Sequence, residues 1–192
     1  MLKNPPNGGR RAKPDENDTT GQTMAKASNV LNVRPKAANV STGIADDDRK
    51  AVADVLSEIV GQTYRVLLRS QVVHWNVVGP LFQPVHVLTE QHYSEMFTAI
   101  DTLAERIRAL GAPAPSARVT AGLDKALSLE GRPTVKGMVE ELVEDHEGLA
   151  RLIREGAEHA EEAKDFVTHD LLAARLAFHE KAVWMLRATI AD

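Results

Sequence analysis

The stretch that decides the fold runs from residue 74 to residue 111: HWNVVGPLFQPVHVLTEQHYSEMFTAIDTLAERIRALG. It opens with a turn, since Gly79, Pro80 and Pro84 crowd residues 76–84. After the turn Met96, Ile100, Leu103, Ile107 and Leu110 follow 4-3-4-3 spacing, the stripe by which a helix faces a core. The spacing predicts a helix from about Gln83 to Leu110, stopped by Gly111. The same helix carries His86, Glu90, Asp101 and Glu105. At about 100° per residue, with His86 at zero, Glu90 falls at about 40°, Asp101 at about 60° and Glu105 at about 100°. The core residues fall at about 240–320°. The four ligand-type residues therefore share a stripe that points away from the bundle core.

Working outward, Asp46, Asp47 and Asp48 suit the first turn of an earlier helix, where acids complement the helix dipole. Val52, Val55, Ile59, Tyr64, Leu67 and Leu68 carry that helix to about His74–Trp75. Beyond Gly111, residues 112–133 hold three prolines and two glycines and form a long connection, with a short helix expected around Leu123–Leu127. Thr134 caps a third helix ending near Ala160, with Met138, Leu142, Leu149 and Leu152 on its apolar face. A fourth runs from about Phe166 to Ile190. The chain is 192 residues long, enough for this bundle and an appendage. Aromatics are only 4% of it, and alternating strand patterns are hard to find. The expected fold is all-α: a four-helix bundle whose one long crossover lets the third helix run parallel to the second, the ferritin-like pattern. Residues 46–192 form that bundle and residues 1–45 a flexible tail rich in Gly, Pro, Asn, Thr and Ser.

Charge divides the same way. The tail holds seven cations, Lys3, Arg10, Arg11, Lys13, Lys26, Arg34 and Lys36, against Asp15, Glu16 and Asp18. The rest holds 16 basic and 24 acidic residues, and the whole chain is at −4. A basic arm on an acidic body fits a polyanion-binding arm or a solubilising extension. There are no cysteines, which excludes disulfides, thiolate zinc sites, iron–sulfur clusters and cysteine catalysis. No signal peptide and no membrane span of roughly 20 apolar residues is visible, so a soluble intracellular protein is expected.

Reach constrains the chemistry. Asp101 lies 15 residues beyond His86, roughly 22 Å along a helix at about 1.5 Å per residue. One chain cannot bring the His86/Glu90 pair and the Asp101/Glu105 pair to one ion. Two antiparallel copies of the helix across a two-fold axis would, twice per dimer. Phe97 and Ala104 on the same stripe suit such a buried contact. His74 could return beside His86 across the turn. Two imidazoles and three carboxylates make a mixed nitrogen–oxygen site suited to iron, manganese, cobalt or zinc. No histidine has Glu three residues before it, which argues against an intrasubunit di-iron centre of the Glu-x-x-His type.

His74-Trp75-Asn76-Val77-Val78-Gly79-Pro80-Leu81-Phe82, then His86-x₃-Glu90, Asp101-x-x-Ala104-Glu105-Arg106 and His179-Glu180-Lys181-x-x-Trp184-Met185-Leu186 resemble the Dps family, the mini-ferritins or DNA-binding proteins from starved cells. The resemblance spans about residues 46–190. It implies a hollow dodecamer built from two-fold dimers that oxidises Fe(II), typically with hydrogen peroxide, and stores ferric mineral, with no organic cofactor. It implies that His74, His86 and Glu90 of one subunit meet Asp101 and Glu105 of another. Glu90 departs from the Asp found in many relatives. Trp75 becomes a near-site electron donor or radical trap, or more simply a packing aromatic. Glu161, Asp165 and Asp170 become iron-entry pore residues, or simply a solvated acidic helix start, and Glu140, Glu141, Glu144 and Asp145 candidates for an acidic cavity wall. His92, His146, His159, His169 and His179 are expected to be structural or exposed. The tail's cations become a sequence-independent DNA contact on a cytoplasmic, nucleoid-associated protein.

Overall fold

The computed structural model describes residues 36–114, 126–128 and 134–191. Four long helices carry the described residues: α1 Asp46–Asn76, α2 Phe82–Ala109, α3 Val135–Glu162 and α4 Phe166–Thr189. A short 3₁₀ turn, Gly79–Leu81, joins α1 to α2. No described helix is long and apolar enough to cross a membrane. The expected short helix near Leu123–Leu127 falls mostly outside the described residues.

Chain direction follows from which side chains meet. Arg69 of α1 pairs with Glu141 and Asp145 of α3, and a Cβ on Gly156 would touch Val55 and Ile59, so α1 and α3 are antiparallel. Arg106 of α2 meets Asp165 and Thr168 at the start of α4, while Glu95 meets Arg175, so α2 and α4 are antiparallel too. The turn at residues 77–81 sets α2 against α1. The crossover after α2 therefore leaves α2 and α3 parallel, the one-crossover bundle expected from the sequence.

Each helix end has a local cause. The Thr134 hydroxyl accepts from the Gly137 amide and caps α3. Asp165 caps α4 through the Thr168 amide. Gly111 ends α2 at φ 93°, and a Cβ there would lie 2.8 Å from the Ala38 carbonyl oxygen. That close approach matters, because the Ala38 amide donates to the Gly111 carbonyl at 2.8 Å. Residues 36–45 thus lie along the bundle, with Ile44 packed against the core.

The core stripe of α2 is as expected: Met96, Ile100, Leu103, Ile107 and Leu110 are all buried. They join one apolar cluster with Leu56, Ile59, Ile153 and Leu172. A second cluster gathers Val73, Val85, Leu88, Leu142 and Leu186 at the other end. Between the two clusters in register lie His92, His146 and His179.

Candidate metal centre

The turn between α1 and α2 brings His74 beside His86. The Nδ1–H of His74 donates to the His86 carbonyl at 2.8 Å, and the Nδ1–H of His86 donates to the His74 carbonyl at 3.0 Å. The rings stack with centroids 3.7 Å apart. A carbonyl oxygen only accepts, so each Nδ1 must carry the proton. In its neutral form each imidazole then has its lone pair on Nε2, the tautomer a metal ligand needs. Phe82 stacks on the other face of His86, and the Tyr93 ring meets His74 edge-on. Both imidazoles are thereby fixed in tautomer and orientation by this chain alone.

The carboxylates are placed differently. Glu90, Asp101 and Glu105 are exposed, on the face of α2 opposite its buried stripe. Among the described residues, no three His, Cys, Asp or Glu side chains of this one chain gather around a point that could hold a metal. The structure therefore joins His74 to His86, and the described side chains of one chain do not complete a metal site around them. Phe97, on the same face, is 68% exposed, and Trp75, at the end of α1, is 64% exposed. Trp75 is not part of its own chain's core.

The other sequence candidates fare unequally. Glu161 and Asp170 are exposed. Asp165 is buried, bonded to the Arg106 guanidinium at 2.6 Å and to the amide and hydroxyl of Thr168. Burial pushes its carboxyl up, but those hydrogen bonds and the Arg106 charge outweigh burial and hold it below the usual range. Its carboxylate braces α2 to α4. On α3, Glu140 and Glu144 are exposed, whereas Glu141 and Asp145 pair with Arg69. Burial raises the Asp145 pKa despite Arg69. Lys36 is exposed; Lys3, Arg10, Arg11, Lys13, Lys26 and Arg34 lie outside the described residues.

Known proteins share this arrangement of helices. A ferritin-like domain model matches residues 53–192. DNA protection during starvation protein 2 of Bacillus anthracis is 36% identical over 141 residues, which cover 72% of this chain and 96% of that protein. The chain belongs to the Dps family of mini-ferritins. Within that similarity, an uncharacterized low temperature-induced protein of Nostoc is 36% identical over 155 residues, 79% of this chain and 86% of that one. The solved Dps of Vibrio cholerae, described as a member of a broad superfamily of ferritin-like diiron-carboxylate proteins, superposes with a TM-score of 0.69. It is 26% identical and covers 83% of this chain and all of that one.

Sequence reasoning missed the Asp165 brace and the buried histidine layer. The brace had a visible signal: Asp165 stands three residues before Thr168 at a helix start, the spacing of a cap. The layer had none, because its histidines come from three separate helices and meet only through bundle register.

Proposed function

We propose that this chain is a ferroxidase and iron-storage mini-ferritin whose catalytic sites form between two copies. His74, His86 and Glu90 of one copy and Asp101 and Glu105 of a two-fold partner bind Fe(II) as substrate. The observation that carries this reading is the split itself. The end of α1 and the start of α2 hold two imidazoles whose Nε2 points away from their clasp, the other end of α2 holds two carboxylates on the stripe of His86, and exposed Phe97 lies between. An antiparallel two-fold contact buries Phe97 and joins the halves twice.

The donor set fits iron. Imidazole and carboxylate suit Fe(II), and carboxylates stabilise the extra charge of Fe(III). Two Fe(II) ions give one electron each to hydrogen peroxide, the preferred oxidant in this reading. Peroxide takes up two protons and leaves as two waters. No hydroxyl radical is released when both electrons pass together, and this protects DNA. The ferric product collects as mineral inside an assembly of twelve chains. Glu161 and Asp170 are the exposed acids offered to incoming iron, while Asp165 is held inside, bracing α2 to α4. Trp75, next to His74, is placed to pack across the interface or to give up an electron near iron.

A second role rests on the tail, whose seven cations on each of many copies would hold DNA through its phosphates. In that reading the protein is cytoplasmic and nucleoid-associated.

The test is Fe(II) oxidation by hydrogen peroxide in wild type and in Asp101→Asn/Glu105→Gln, after equal assembly is confirmed. Loss of fast oxidation in the variant is expected. Equal rates would remove the carboxylates from the site.

A further inference from the structure

The middle of the bundle is not apolar. His92 of α2, His146 of α3 and His179 of α4 are buried together, 4%, 0% and 1% exposed, at the level where one apolar cluster gives way to the other. The His146 and His179 rings lie 5.1 Å apart and share a hydrogen bond between their Nδ1 atoms at 2.8 Å. The His92 ring stands 5.4 Å from that of His146, edge to face. Phe178 closes against all three rings. Two nitrogens in the layer, His92 Nδ1 and His146 Nε2, are buried with no hydrogen-bond partner among the described residues. A buried polar atom left without a partner costs on the order of 1–3 kcal/mol. Leucine or phenylalanine would fill this layer at no such cost, so the cost points to a ligand rather than to packing.

We propose that His92, His146 and His179 form a second metal site inside each chain, for a borderline divalent transition ion such as zinc or cobalt. This site is independent of the intersubunit carboxylate site and takes all its ligands from one subunit. Bundle interiors are where facing helices build such sites, and three imidazoles with an open fourth position are a common zinc set. Burial holds all three imidazoles neutral, the ligating form, with His92 lowered to about 4 and His179 to about 3. As they stand the rings do not present three nitrogens to one point. For the His146–His179 pair the change needed is small. Two nitrogens on one tetrahedral ion at about 2.0 Å each stand roughly 3.3 Å from each other, against 2.8 Å for the Nδ1 pair. The proton between them moves to the far nitrogen of its own ring, and the ion takes its place; of the two orphaned nitrogens, it is His92 Nδ1 that gains a partner. The nearby Arg175 charge is already neutralised by a two-pronged pair with Glu95, at 2.6 and 2.8 Å.

The test uses Co²⁺ alone on the full chain carrying Asp101→Asn/Glu105→Gln, refolded anaerobically with the ion so that the interior is open to it. About one Co²⁺ per chain with strong four-coordinate visible absorption is expected. Adding His146→Phe should abolish the absorption, and adding His92→Gln should weaken binding at least tenfold. Should the phenylalanine variant fail to fold, His92→Gln decides alone. Absence of bound cobalt, or absorption that neither histidine change alters, would overturn the site.

Discussion

His74 and His86 hold each other through their backbones: each ring donates its Nδ1 proton to the other residue's carbonyl, at 2.8 and 3.0 Å. This ties the end of α1 to the start of α2 and aims both Nε2 lone pairs away from the clasp. Replacing His86 by glutamine removes one proposed ligand from a half-buried position and leaves the helix intact. Initial Fe(II) oxidation is expected to fall on the order of 100-fold, with helicity unchanged by circular dichroism. A rate within twofold of wild type would show that the clasp is only structural.

A site split between chains can be rebuilt from two defective ones. Chains carrying His74→Ala/His86→Ala and chains carrying Asp101→Asn/Glu105→Gln should each be inactive alone. When the two are unfolded, mixed equally and reassembled, half the dimers are mixed, and each mixed dimer regains one of its two sites. Activity should return to about one quarter of wild type. An intrasubunit site would give none.

The sequence carried the helices and the ligand stripe because both are periodic within one segment. The expected second helix, about Gln83 to Leu110, lies within a residue of the observed Phe82–Ala109. Its stripe of Met96, Ile100, Leu103, Ile107 and Leu110 is buried, while Glu90, Asp101 and Glu105 are exposed. Contacts between helices were not legible, since they depend on register. Asp165 read as a surface acid at a helix start, yet Arg106, 59 residues earlier, draws it inside. His146 and His179 are 33 residues apart and share a proton. A lone histidine in a helical pattern carries no mark of the neighbour it will meet.

The Arg106–Asp165 pair joins the end of α2, next to Glu105, to the first turn of α4. Asp165→Ala removes the cap and leaves the guanidinium with one fewer partner in a largely buried place. It should cost about 3 kcal/mol at pH 7. The folded carboxyl lies below its ordinary value, so its contribution is full above the unfolded Asp pKa and is lost as pH falls through the folded one. The gap between wild type and variant in denaturant titrations should therefore narrow on acidification below about pH 4. A constant gap would mean that the charge is not what stabilises the fold.

The histidine layer gives the opposite end of the chain's pH response. All three imidazoles have folded pKa values below the ordinary 6.5, chiefly through burial. Below about pH 6.5 the unfolded chain binds protons that the folded chain refuses, so stability falls with pH until the folded values, about 4 for His92 and about 3 for His179, are reached. Each imidazole contributes a slope of about 1 kcal/mol per pH unit in that window. His92→Leu should flatten the decline of the metal-free protein between pH 6.5 and 4. An unchanged slope would show that His92 takes up its proton without unfolding.

The proposed contact of the tail with DNA can be tested apart from the bundle, because the structure shows where to cut. Residues 36–45 lie on the bundle, with Ala38 bonded to Gly111 and the Arg49 guanidinium donating to the Ile44 carbonyl. A variant lacking residues 1–35 removes six of the seven cations and leaves those contacts in place. The remaining chain is acidic and should repel a polyanion. Mobility shifts of linear DNA at low salt should disappear in the shortened protein. For the full chain they should weaken steeply as salt rises, since phosphate contacts release counterions. Fe(II) oxidation should be the same in both. If the shortened protein still shifts DNA, the contact lies on the bundle and the tail serves only solubility.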